Sequence, residues 1–172
     1  MTRHAFDPLE RDAVYRAIRE RRDMRHFAAG EVPQEQLQRL LQAAHQAPSV
    51  GLMQPWRFVR ITLLVAALPP GREAHVFGRR TMPDMDLASV ACAIQNLWLA
   101  ARAEGLGLGW VSLFDPQALA DLLALPTGAR PVAVLCLGPV DAFYSRPMLE
   151  QEHWTEARPL ADMLFTDQWE ER

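Results

Sequence analysis

A chain of 172 residues, 49% hydrophobic and 23% charged, is long enough to bury one core and has the composition of an ordinary globular domain. Its formal net charge of -3 supplies no overall basic field for nucleic acid or an anionic membrane, which leaves local arginine clusters as the only anion sites to look for. Two cysteines, Cys92 and Cys136, without CxxC spacing exclude a disulfide or zinc framework.

The opening MTRHAFDPLERDAVYR has no signal-peptide core, and no uncharged run is long enough to span a bilayer, so a cytoplasmic protein is expected. Asp7, Pro8 and Glu10 make a helix start with a capping box. Ala13, Val14, Ala17 and Ile18 then share one face to about Arg21. A second helix is predicted from Pro33 to Gln46, with Leu37, Leu40, Leu41 and Ala44 at helical spacing and Pro48 preventing continuation. Residues 48–55, PSVGLMQP, read as an irregular loop before a strand at Trp56–Ile61.

From Asp86 to Gly105, Leu87, Val90, Ala91, Ile94, Leu97, Trp98 and Ala101 form a wide apolar stripe that Gly105 is placed to end. A glycine-rich strand at Leu106–Leu113, a short helix at Pro116–Leu123 and a central strand at Val132–Leu137 follow, before a polar tail from Asp141. There is no internal repeat and no linker. The expectation is a single α+β domain over residues 1–172, with a central mixed sheet flanked by helices.

Arg21, Arg22 and Arg25 bracket Asp23 at the end of the first helix. Three guanidiniums within five positions suit a phosphate or carboxylate, and equally suit a helix C-terminus, where the macrodipole favours cations. Asp23 is either a proton acceptor or an ion-pair partner of its neighbours. The five histidines form no HExxH or comparable pattern, and nucleophile-elbow and Walker motifs are absent, so no metal site is expected and hydrolase chemistry falls away.

RRDMRHF, APSVGLMQPW, GRRTMPDMD, CAIQNLWLAARAEGLGLGWVS and LCLGPVD together resemble the FMN-binding nitroreductase superfamily, and within it the flavin-consuming 5,6-dimethylbenzimidazole synthases. The resemblance implies a homodimeric nitroreductase-like fold whose tail, about 141–172, embraces the partner subunit. It implies oxygen-dependent fragmentation of reduced FMN to dimethylbenzimidazole and erythrose 4-phosphate, with FMNH2 and O2 as partners and an external flavin reductase or other reductant. The alternatives are an NAD(P)H-dependent nitroreductase that retains its FMN and a flavin-binding protein without catalysis.

By the same resemblance, Asp23 is the base and Ser112 a hydrogen-bonding group at the reactive edge. Arg21, Arg22 and Arg158 hold the phosphate side, with Arg25 beside them. Pro48, Ser49, Gly51, Met53 and Gln54 lie along the flavin at the dimer interface. Glycines including Gly109 are expected to let the backbone at Trp110 and Val111 approach the ring. Arg79 and Arg80 of the GRRT block are read as a second anion contact or a surface turn. Exposed apolar surface on the APSVGLMQPW loop points to the dimer.

The family carries several tens more residues between the strand matching Phe58–Thr62 and the strand matching Leu63–Ala66. Here the two are joined end to end, which predicts one long strand over 58–68 or residues absent from the sequence.

Overall fold

The computed structural model describes residues 4–71 and 81–169; Arg79 and Arg80 of the GRRT block lie outside the described residues. Helix α1 (Pro8–Glu20) begins with the expected reciprocal cap: the Glu10 amide donates to Asp7 at 2.9 Å, and the Asp7 amide donates to the Glu10 carboxylate at 3.2 Å. These bonds satisfy donors that a helix start otherwise leaves without partners. None of its residues is buried, so its apolar face points away from the core of its own chain.

Helix α2 (Gln34–His45) does bury its stripe, with Leu37, Leu40 and Ala44 inside. It lies against α3 (Met85–Ala103), the central helix. In α3 the buried positions are Asp86, Ser89, Val90, Ala93, Ile94, Leu97, Trp98 and Ala101, an i, i+3, i+4 progression that puts one face wholly inside. Leu87 and Ala91, expected on that stripe, sit at its margin and are half-buried, while Ala93 takes the centre. Gly105 adopts φ +77° just past the helix. The Leu106 amide then donates back to the Ala101 carbonyl at 2.8 Å, which closes the C-terminus.

Four strands, β1 (Arg57–Arg60), β2 (Leu64–Leu68), β3 (Gly107–Val111) and β4 (Arg130–Gly138), pair in the order β1-β2-β4-β3, antiparallel throughout. A one-residue parallel bridge from Asp23 to Leu108 extends the sheet past β3 and makes it mixed at that edge. β2 lies inside the sheet with all five residues buried. Helix α4 (Pro116–Leu122), capped by Asp115 at the amides of Gln117 and Ala118, leads into β4. Among its described residues the tail carries the four-residue α5 (Met148–Gln151) and a 3-10 turn at Leu160–Asp162.

Residues 57–68 correct one of the two expectations, that of one long strand. Arg60 pairs with Leu64 and Arg57 with Ala67, so Ile61, Thr62 and Leu63 are a tight hairpin turn in which the Ile61 amide donates to the Leu63 carbonyl at 2.8 Å. Three residues suffice because the two strands are antiparallel neighbours.

Candidate active site

After α1 the chain runs along the outer edge of β3. The Met24 amide donates to the Leu108 carbonyl at 3.0 Å, and the Trp110 amide donates to Asp23 Oδ1 at 2.9 Å. Both are edge groups of β3 facing away from β4, so the Asp23 carboxylate fills the place of a strand carbonyl and the edge is covered. Arg25 grips the same carboxylate with both arms, Nη1 to Oδ1 at 3.0 Å and Nη2 to Oδ2 at 2.6 Å. Its Nη2 also reaches the Trp110 carbonyl at 3.4 Å.

The glycines of β3 make this crossing possible. A Cβ on Gly109 would stand 2.3 Å from the Met24 carbonyl oxygen and 2.9 Å from Arg25 Nη1, closer than any non-bonded contact permits. The space on the Cβ side of Gly109 is taken by the protein's own segment 24–25, and the Trp110 amide donates to Asp23. Val111 and Ser112 continue from there, with Ser112 exposed just past the end of β3.

Arg21 and Arg22 divide. The Arg21 guanidinium lies over the Trp98 ring, 4.5 Å from its centroid, in a cation–π contact. Arg22 turns back to donate to the carbonyls of Arg19 and Arg21, both at 2.8 Å, and to Ser145 at 3.2 Å, so it caps the C-terminus of α1. Its Nε is buried and, among the described residues, has no partner. Together with Asp23 and Arg25, these two residues line a cleft of about 340 Å³ closed on the far side by Pro147–Glu150 and Thr155–Ala157. Glu150 and Glu156 stand among its walls, so it is not uniformly basic. Arg158, on the exposed tail, follows directly on Ala157.

The loop from Pro48 to Gln54 is built elsewhere. The Ser49 hydroxyl accepts the Gln54 amide at 3.0 Å, and the Val50 amide donates to Ser89 at the start of α3 at 3.2 Å. Gly51, Leu52 and Gln54 all have positive φ, at +55°, +53° and +47°, which for the two non-glycine residues costs about 1–2 kcal/mol each. The turn thrusts Leu52 into solvent at 80% exposure, while Met53 is half-buried. Ser89 and Trp98 lie nine residues apart on α3, about 13 Å of helix, so within one chain this loop and the arginine segment occupy different stretches of the same helix.

Two residues complete the arrangement, Tyr144, which the sequence did not flag, and Trp98, which it placed only on the core stripe. The Tyr144 hydroxyl oxygen accepts the backbone amides of Arg25 and His26, both at 3.2 Å, and contacts His26 Nδ1 at 2.7 Å. The Trp98 indole donates to the Arg22 carbonyl at 3.1 Å and leans towards Trp110, with ring centroids 6.5 Å apart. No local signal marks Tyr144, whose partners are 118 and 119 positions away.

The model of the nitroreductase family matches residues 18–69 and 70–139. A 5,6-dimethylbenzimidazole synthase of Rhodospirillum rubrum is 37% identical to this chain, with 90% of the chain and 94% of the relative covered. One of Rhodobacter capsulatus is 32% identical, with 97% and 99% covered. The first alignment spans 199 positions but takes in 90% of 172 residues, so about 45 positions of the relative have no counterpart here. The solved structure of the NADPH:FMN oxidoreductase from Vibrio harveyi, complexed with NAD+, superposes with a TM-score of 0.75 at 21% identity, over 93% of this chain and 79% of that one.

Proposed function

The chain belongs to the nitroreductase family, and from that premise we propose that it is a 5,6-dimethylbenzimidazole synthase, taking reduced FMN and O2 to dimethylbenzimidazole and erythrose 4-phosphate. One observation carries the reading: a carboxylate, Asp23, is gripped by Arg25 and fixed against β3 by the Trp110 amide, in a chain whose relatives at 37% and 32% identity bear that name.

The residues suit a flavin phosphate. Among the described residues Arg22 Nε is a buried donor without a partner, Arg21 stands beside Arg22 on the cleft wall, and a guanidinium offers a phosphate charge-assisted donors. Arg158 follows the opposite wall. Reduced FMN supplies both the electrons for O2 and the carbon skeleton of the product, and the reductant that regenerates it is external. Proton transfer falls to the protein, with Asp23 as base and Ser112 as a hydrogen-bonding group. Ser112 lies two residues beyond Trp110, about 7 Å of extended chain, so both groups fit along one ring system.

The working unit is a homodimer. Helix α1 buries nothing in its own chain, and Leu9, Tyr15 and Ile18 stand 83%, 60% and 50% exposed, more apolar surface than a monomer leaves in water. The tail adds Trp154, Leu160 and Trp169, each close to four-fifths exposed. The 48–54 loop, expected to drive the association, contributes Leu52.

The test is Asp23→Asn in an aerobic reaction, with bound FMN and dimethylbenzimidazole measured together. Product should fall 10²–10⁴-fold, the usual worth of a general base, while FMN still binds. Normal product from the variant sinks the catalytic role. A flavin that survives repeated cycles with NAD(P)H would instead favour an oxidoreductase that retains FMN, the reading suggested by the name of the Vibrio harveyi enzyme.

A further inference from the structure

We infer that Arg25 is a positioning residue that sets the orientation of the Asp23 carboxylate and leaves Oδ2 as the oxygen that takes the proton; this rests on the reading of Asp23 as the base. A carboxylate offers about four lone-pair sites. Among the described residues Oδ1 accepts twice, from Arg25 Nη1 and from the Trp110 amide, and Oδ2 accepts once, from Arg25 Nη2. One acceptor site is left over, and it is on Oδ2. A proton passing to it forms an O–H bond there, and the electron pair of the broken bond stays on the donor.

Arg25 is itself fixed at three points. Its backbone amide is held by the Tyr144 hydroxyl, its fork by Asp23, and its Nη2 by the Trp110 carbonyl, while the missing Cβ of Gly109 gives it room. A guanidinium held this way presents a rigid fork, which a lysine does not reproduce. The side chains of Asp23 and Arg25 are 39% and 37% exposed, and ion pairs this open to water add little to stability. Orientation is the better account of why two residues, one amide and a glycine converge here. It also takes Arg25 away from the phosphate, where the sequence placed it.

The experiment compares wild type with Arg25→Ala, Arg25→Lys and Asp23→Asn. In the flavin-free protein, hydrogen exchange of the Trp110 amide should quicken at least about fivefold in Arg25→Ala, because its acceptor is no longer held in place. With FMN added, Arg25→Lys should keep flavin affinity within about threefold and lose at least tenfold in product per bound flavin. Unchanged Trp110 exchange in Arg25→Ala overturns the inference. So does Arg25→Lys with weakened FMN binding and full rate at saturating FMN, which makes Arg25 a ligand contact. Full product from Asp23→Asn removes the base reading separately, since the exchange measurement does not depend on turnover.

Discussion

Replacing Gly109 by alanine puts the crossing of β3 under direct strain. The new Cβ would meet the Met24 carbonyl oxygen at 2.3 Å and Arg25 Nη1 at 2.9 Å. The first is a backbone atom, and Met24 itself is 1% exposed, so it has nowhere to retreat without dragging a core side chain. Overpacking of this kind costs about 1–3 kcal/mol. Displacing Asp23 from the Trp110 amide adds about 1 kcal/mol, and reduced freedom of the unfolded chain returns about 0.5 kcal/mol. The expected loss is about 1.5–3.5 kcal/mol, or roughly 3–14 °C in Tm for a chain of this size. Gly107→Ala is the internal control, since its Cβ would meet side-chain atoms only, Val140 Cγ1 at 2.4 Å and Met24 Cγ at 3.1 Å, and Val140 is half-buried and able to turn; about 1 kcal/mol is expected. Urea unfolding of both variants decides the matter. A Gly109→Ala protein no less stable than Gly107→Ala would refute the reasoning.

Arg21→Ala should weaken FMN about 10–100-fold while barely touching riboflavin, as loss of one charge-assisted phosphate bond requires. Arg22→Ala should do likewise but also lower Tm, because the carbonyls of Arg19, Arg21 and Ser145 lose their donor; calorimetry beside titration with both flavins separates the two. Hydrogen bonding from Arg39 holds the Glu104 carboxyl below its ordinary 4.5 against the opposing effect of burial. A depressed folded value stabilises above the unfolded one and is lost as pH falls through the folded one. Glu104→Gln should therefore be less stable than wild type at neutral pH, with the gap closing below 4.5 in urea titrations. Leu9→Asp, on the exposed face of α1, should raise the dimer dissociation constant at least tenfold, since burying a leucine is worth about 1.5–3 kcal/mol; an unchanged sedimentation profile would move the interface elsewhere.

The elements set by local chemistry were legible in the sequence. Asp7, Pro8 and Glu10 start α1, Gly105 ends α3, and the helical periodicity of 86–101 marks the central helix within one residue of its true stripe. The convergence of Asp23, Arg25 and the glycine-rich strand was half legible: the motifs were found, but not the contacts they make with one another. A glycine announces that something comes close, and the sequence does not say whether that is a ligand or residue 24, which is 85 positions away. The capping role of Arg22 was not legible, because the carbonyls it meets, those of Arg19, Arg21 and Ser145, leave no mark in a one-dimensional pattern. The hairpin at 61–63 was obscured by its turn, Ile-Thr-Leu, which carries none of the Gly, Asn or Asp that usually mark such turns.

That turn also bears on how the chain folds. Bringing the ends of a loop together costs about 0.6 kcal/mol more for each doubling of its length. If the relatives' additional residues, about 45 in number, fall between β1 and β2 where the family resemblance puts them, their loop is about four doublings longer than three residues and closes at roughly 2–3 kcal/mol greater entropic cost. Here β1 and β2 are local in sequence, so the hairpin can zip on a microsecond scale and offer β2 as a ready template for β4, whose residues arrive from some 70 positions downstream. Folding of this sheet is then expected to begin at the β1–β2 hairpin, the most local pairing it contains.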